Sequence, residues 1–342
     1  MEDPNNENKE GQTTDSSQAP YQFQSRTDLS PIRDKIDELF AECGKIIVGQ
    51  SDLIELMITC ILADGHILLE GVPGIAKTLS AKVIAKTIDT EFSRIQFTPD
   101  LMPADILGTS IFNMKSSEFV FKKGPIFSNV VLIDEINRAP AKTQSALFEV
   151  MEEKQISFDG ITYPMGRPFI VIATQNPIEQ EGTYRLPEAQ LDRFLMKINL
   201  QYPTISEELE IIDRFKNKPG RPNLDSINAV LNEAKLIEIK SLLENIHIEK
   251  QMLEYITHIV HETRNHSKVY LGASPRASLA LLSTSKVTAV MAGRDYIIPD
   301  DIQYVAPHVL NHRMILTPDA EMEGLTSFGI IAEIIKTLEV PR

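Results

Sequence analysis

Gly71-Val72-Pro73-Gly74-Ile75-Ala76-Lys77-Thr78 follows the apolar run His66-Ile67-Leu68-Leu69-Glu70 and opens a helix-like stretch from Leu79 to Ile88. Strand, glycine-rich turn and helix in that order are the context of a phosphate-binding P-loop. Backbone N–H groups of the turn and of the helix N-terminus would cradle phosphates. Lys77 would reach the β- and γ-phosphates, and the Thr78 hydroxyl would hold Mg²⁺. The pattern G-x-x-x-x-G-K-[ST] asks for glycine where Ala76 stands. If that position needs φ > 0, alanine strains it; if it is right-handed helical, alanine fits at no cost. A Gly/Pro-rich turn ending in Lys-Thr also occurs without a nucleotide, so the reading needs a second half of the site.

Val130-Val131-Leu132-Ile133-Asp134-Glu135 supplies it. A buried parallel strand ends here and puts two carboxylates at its carboxyl edge, where open α/β sheets bind ligands. Asp134 would hold Mg²⁺ through water, and Glu135 would polarise the attacking water as general base. Alone, this could be a strand leaving into an acidic loop; downstream of a P-loop it reads as its partner. Val171-Ile172-Ala173-Thr174 ends in Gln175-Asn176-Pro177 and brings Asn176 to the same edge, although asparagine before proline is also a common turn. Arg193, between a short helix and the last strand, has the position of an arginine finger, a cation that stabilises the phosphoryl transition state. Ser274-Pro275-Arg276 reads as N-cap, first helical residue and a cation in the first turn. A cation there opposes the helix macrodipole, and a nearby γ-phosphate would remove the conflict. For either arginine a solvated surface charge is the ordinary alternative.

Around these motifs strands and helices alternate. Strands are predicted at 93–97, 130–134, 169–174 and 195–199, with a helix at 142–153, after helices near 31–44 and 51–63. Such alternation argues for a parallel sheet with helices on both faces. Two hairpins interrupt it: one turns at Asp159-Gly160, and the other lies near 111–121 with Lys115-Ser116-Ser117 as its loop. Beyond Tyr202-Pro203 only helices are expected, at 206–216, 234–246, 249–264, 275–292 and 299–311. The fold class is therefore α/β, an αβα core over residues 29–203 followed by a smaller all-α lid over 204–342. Residues 1–28 hold six acidic and two basic residues and almost nothing to bury, and read as a disordered tail.

The chain has 342 residues, 42% hydrophobic and 24% charged, enough for about two domains with ample core. A net charge of −14 argues against nucleic acid as main partner. Cys43 and Cys60 form no disulfide framework and show no metal-ligand spacing. The acidic, polar N-terminus does not read as a secretory signal, and the apolar stretch 53–72 is broken by Glu55, Asp64, His66 and Glu70. A cytoplasmic protein without a transmembrane segment is expected.

In order, GVPGIAKT (71–78), VVLIDE (130–135), ATQNP (173–177), LPEAQLDRF (186–194) and SPRAS (274–278) resemble an AAA+ ATPase, and more narrowly the MoxR family. RIQFTPDLMPADILG (94–108), KGPIF (123–127), IDEINRAP (133–140) and NPIEQEGTY (176–184) strengthen the match, which runs over residues 30–342. The family's usual P-loop carries alanine before the lysine. A proline is usual where Arg185 stands, a departure that reads as a surface substitution.

The resemblance implies ATP and Mg²⁺ as ligands. It implies a Walker A pair in Lys77 and Thr78, a Walker B pair in Asp134 and Glu135, sensor 1 in Asn176, an arginine finger in Arg193 and sensor 2 in Arg276. Ile47, Val48 and Gly49 would sit beside adenine, with Gly71 to Leu79 around the phosphates. Arg276 would sense the γ-phosphate from the lid, and Arg193 from the next subunit of a ring, usually a hexamer. The hairpins would face the ring's axial opening. The family acts with von Willebrand factor A-domain proteins as a chaperone-like remodeller. A nucleotide-gated scaffold and a metal-chelatase motor subunit are the rival readings. The client is not legible.

Overall fold

The computed structural model describes residues 28–72, 74–115, 117–177, 184, 186–216 and 223–341. The acidic tail up to residue 27, Pro73, Arg185 and most of the 176–184 motif lie outside the described residues.

Helices α1 (Ser30–Gly44) and α2 (Ser51–Leu62) precede strand β1 (His66–Glu70) and helix α3 (Lys77–Thr87). Then come β2 (Phe92–Gln96), α4 (Pro103–Leu107), the hairpin β3 (Gly108–Asn113) and β4 (Glu118–Lys123), and β5 (Val130–Asp134). Helix α5 (Ala141–Glu153), the hairpin β6 (Gln155–Phe158) and β7 (Ile161–Pro164), β8 (Ile170–Gln175), α6 (Glu188–Leu191) and β9 (Phe194–Asn199) complete the core. Five strands form a parallel sheet in the order β2-β5-β8-β1-β9. Every residue of β5 is buried, because helices cover both faces and leave no polar side to alternate with. The register pairs Gln96 with Asp134, and Glu70 with both Gln175 and Asn199, so the strand ends are level at one edge.

Both hairpins form. The β6–β7 turn carries positive φ at Asp159 and Gly160, as a two-residue hairpin with right-handed twist requires. Phe121 of β4 lies 4.9 Å from Phe158 and 4.7 Å from Tyr163, ring to ring, so the two hairpins share one aromatic cluster. The outer hairpin also leaves apolar side chains uncovered, among them Ile111, Phe112 and Val120, with Phe119 73% and Met114 87% exposed.

Helices α7 (Ile205–Phe215), α8 (Glu233–Glu244), α9 (Lys250–Asn265), α10 (Pro275–Met291), α11 (Pro299–Leu310), α12 (Pro318–Met322) and α13 (Ser327–Thr337) follow. The last two were not anticipated. Nor was a short antiparallel ladder between β10 (Val269–Leu271) and β11 (Ile315–Leu316). The expected boundary at residue 203 does not divide the hydrophobic core. Ile67, Leu132 and Ile172 on one sheet face belong to the same buried cluster as Leu39 of α1, Met57 of α2, Leu281 of α10 and Val305 of α11. The other face packs Val131, Ile133 and Val171 against Ile106, Leu147 and Phe148. Cys43 and Cys60 are buried free thiols, and burial pushes the Cys43 thiol up to about 11. No described helix is long and apolar enough to cross a membrane.

Candidate functional site

The turn after β1 leaves the sheet at its carboxyl edge. Gly74 has φ +90° and Ala76 φ +62°, ψ +16°. The position before Lys77 is therefore left-handed, and of the two readings the strained one is correct. Such a conformation costs an L-residue with Cβ about 1–2 kcal/mol. Lys77 opens α3, and its ammonium donates to the Gly71 carbonyl at 2.6 Å. Thr78 follows in the first helical turn.

Beside the turn, β5 ends in Asp134, which is 7% exposed. One carboxylate oxygen accepts the Thr174 hydroxyl at 3.2 Å, and the other accepts Arg94 Nε at 2.5 Å. Glu135 takes a left-handed conformation (φ +59°), and its N–H donates to the same Thr174 hydroxyl at 3.0 Å. Its Oε2 accepts from Gln96 Nε2 and pairs with Arg138 Nε, each at 2.9 Å. Asn176 is buried just beyond β8. Among the described residues no cluster of three or more His, Cys, Asp or Glu could hold a metal by itself. Mg²⁺ arriving with phosphates needs only one or two protein oxygens, and the Thr78 hydroxyl and Asp134 carboxylate are hard donors of that kind.

Next to the P-loop is a cavity of about 460 Å³ lined by Ile46, Ile47, Val48, Ile75, Tyr202 and Phe215, with Ala76 and Leu79 on its floor. Gln50 Nε2 donates to the Ile75 carbonyl at 3.2 Å, and Gln50 Oε1 is buried without a hydrogen-bond partner. Such an orphaned acceptor in an apolar slot suits a purine amine. Gly49 does not line the cavity. Its φ is +69°, and a Cβ there would stand 2.3 Å from Glu207 Cδ. Glu207 in turn caps α7 through Thr204. The cavity is walled by α7; α8 to α13 contribute nothing to it.

Arg193 and Arg276 are together, but elsewhere. Arg193 Nη1 donates to the Phe148 carbonyl at 2.7 Å. Glu152 Oε2 lies 2.8 Å from Arg276 and 3.6 Å from Arg193. Gly65 and His66, at the start of β1, border the same recess. The P-loop leaves the far end of that strand, roughly 16 Å away at about 3.3 Å per residue.

Residues 66–196 match the ATPase family associated with various cellular activities (AAA), and residues 261–334 match the AAA lid domain. The chain is 44% identical over 316 residues to Chaperone MoxR1 of Mycobacterium tuberculosis, covering 90% of this chain and 82% of that one. It belongs to the MoxR family of AAA+ ATPases. An uncharacterised Bacillus subtilis protein, YeaC, is 46% identical over 92% of this chain and 96% of its own length. The crystal structure of a candidate ATPase from Cytophaga hutchinsonii superposes with a TM-score of 0.85 at 44% identity, over 92% of this chain and 97% of that one.

Nucleotide binding follows from membership of the MoxR family. Within one chain Gly71, Val72, Gly74 to Leu79, Asp134, Glu135 and Asn176 share the carboxyl edge. Ile47 and Val48 flank the cavity, and Gly49 shapes it from behind. Arg276 departs from expectation: it does not face the P-loop of its own chain. Its helix α10 packs on α1 and α2 as part of the shared core, which carries the helix N-terminus to the amino edge. Sequence reasoning missed Arg94, Gln96, Arg138, Thr174 and Glu152. Arg94 and Gln96 alternate along β2 and so share a face, the one signal that could have paired them with the carboxylates of the neighbouring strand. The hydrogen bond from Arg276 holds the Glu152 carboxyl below its ordinary range, with further help from the charge of Arg193.

Proposed function

We propose that the protein hydrolyses ATP to ADP and phosphate in an oligomeric ring whose sites are shared between adjacent copies. One observation carries this: the carboxyl edge holds the P-loop, Asp134, Glu135 and Asn176, whereas both arginines that would complete the site sit at the opposite edge. A head-to-tail interface brings the amino edge of one copy onto the P-loop of the next, and closes into a ring when the rotation permits. A hexamer is the expected closure.

In this reading adenine enters the cavity under α7, with its amine on Gln50 Oε1. Lys77 leaves the Gly71 carbonyl for the β- and γ-phosphates. Thr78 and Asp134 would hold Mg²⁺, which would supply positive charge beside the phosphate oxygens. Glu135 takes a proton from the attacking water, Asn176 orients that water, and Arg193 and Arg276 of the neighbouring copy neutralise the transferring phosphoryl group. Gln96 and Arg138 both meet Oε2 of Glu135, so Oε1 would be the oxygen that takes the proton. The exposed apolar side chains of the outer hairpin would grip client protein, consistent with the 44% identical relative named a chaperone. Von Willebrand factor A-domain proteins are the proposed partners.

The test is ATPase rate against protein concentration for wild type and Arg193→Ala, with mass measured with and without ATP. Specific activity should rise with assembly, and Arg193→Ala should bind ATP without turnover. Activity independent of concentration and of Arg193 would mean that the site is complete within one chain.

A further inference from the structure

We propose that Arg313 is a positioning residue that clamps Arg193 and Arg276 into one rigid unit, acting through Asp192; this rests on the reading that both arginines serve a neighbouring copy. Arg313 follows α11, and its side chain is 3% exposed. All five of its N–H donors are used. Nε donates to Asp192 Oδ1 at 2.6 Å, Nη1 to the carbonyls of Leu195 (3.0 Å) and Val309, and Nη2 to those of Phe194 (2.8 Å) and Asp192 (3.3 Å). Three of those acceptors are the backbone carbonyls of residues 192, 194 and 195, on both sides of Arg193. The second Asp192 oxygen accepts the Ser274 hydroxyl at 3.2 Å, at the N-cap of the helix that carries Arg276. One buried fork thus holds the backbone around Arg193 and, through one carboxylate, the start of α10.

The neighbours extend the clamp. Asn311 Nδ2 donates to the Lys197 carbonyl at 2.9 Å, and His312 Nε2 lies 3.0 Å from that of Phe194. A planar guanidinium meets such a spread of acceptors; a lysine ammonium has three donors at one point and cannot. Nothing in the clamp touches the P-loop, so its loss should disable the half of the interface that donates the arginines and spare the half that binds ATP.

Subunit mixing tests this in the full chain. Arg313→Lys alone should lose turnover on the order of 10- to 100-fold, as small misplacements of transition-state groups do. Its affinity for a fluorescent ATP analogue should stay within about twofold, because the P-loop is distant. Mixed in equal amounts with Glu135→Gln, it should regain turnover, since roughly a quarter of random head-to-tail interfaces unite an intact base with intact arginines. Mixed with Arg193→Ala it should regain none. Asp192→Asn keeps the carbonyl contacts and deletes the charged bridge; it should complement in the same pattern and guards against a folding failure of Arg313→Lys. Wild-type turnover in both variants, or no recovery of either with Glu135→Gln while Arg193→Ala recovers with that partner, would overturn the assignment. If the Arg193→Ala and Glu135→Gln mixture itself stays dead, the shared-site reading falls and this inference with it.

Discussion

His66 begins β1 and is buried, where its Nδ1 accepts the Val171 N–H at 3.0 Å and its Nε2 stands 3.1 Å from the Met151 carbonyl. Only neutral imidazole with its proton on Nε2 meets both. Burial lowers its pKa from 6.5 to about 4, against the opposing hydrogen bond to Met151. Between those values the unfolded chain binds a proton that the native chain refuses, so stability rises with pH across the window and falls on acidification. The gap corresponds to about 3 kcal/mol in full, of which about 2 kcal/mol is lost by pH 5. Urea unfolding of wild type and His66→Gln, followed at about pH 7.5 and about pH 5, isolates this share. His312 is also pushed well below its ordinary value by burial and by Arg313, but it is present in both proteins and cancels. The variant should lose about 2 kcal/mol less than wild type over the interval. Equal losses in the two proteins would refute the assignment of the acid sensitivity to this imidazole.

Three further outcomes are expected. Gly49→Ala should push Glu207 off the Thr204 cap and lower stability by about 1–2 kcal/mol, with weaker binding of a fluorescent ATP analogue; unchanged affinity would separate α7 from the adenine slot. Ala76→Gly relieves about 1–2 kcal/mol of left-handed strain but adds chain entropy worth about 0.4–1 kcal/mol, so the melting temperature should rise slightly or stay level. A clear fall would contradict the left-handed turn. Glu152→Gln should release both arginines from a half-exposed pairing worth about 0.2–1 kcal/mol, and so move assembly-dependent turnover to as little as a fifth of the wild-type concentration. A need for more protein would show that Glu152 orients them instead.

The sheet and the phosphate turn were legible because each depends on local pattern. Four apolar residues in β5 and a glycine-punctuated turn before Lys77 announce themselves within a few positions. The conformation of Ala76 was not, since alanine gives no sign of φ; only the turn imposes it. The pairing of Arg94 with Asp134 joins residues forty apart through strand register, which follows from the sheet order and from nothing local. The site of Arg276 depends on which face of α1 and α2 the lid covers. Periodicity reveals that α10 has an apolar side but is silent about what that side meets. Helix α13 was not anticipated although it is strongly apolar, while a helix at 206–216 was expected where α7, with none of its residues buried, forms.

The unbroken core between sheet and lid bears on how force could travel. Leu281 and Val305 share their cluster with Ile67 and Leu132, so α10 and α11 cannot swing away from the sheet without opening apolar surface to water. A chain built this way should melt in one cooperative step, and cutting it after residue 203 should leave an insoluble fragment. It also has little freedom to open and shut like a clamshell. Work extracted from a nucleotide would instead appear as each copy tilting whole against the next, with the joined hairpins acting as a stiff arm at its far end.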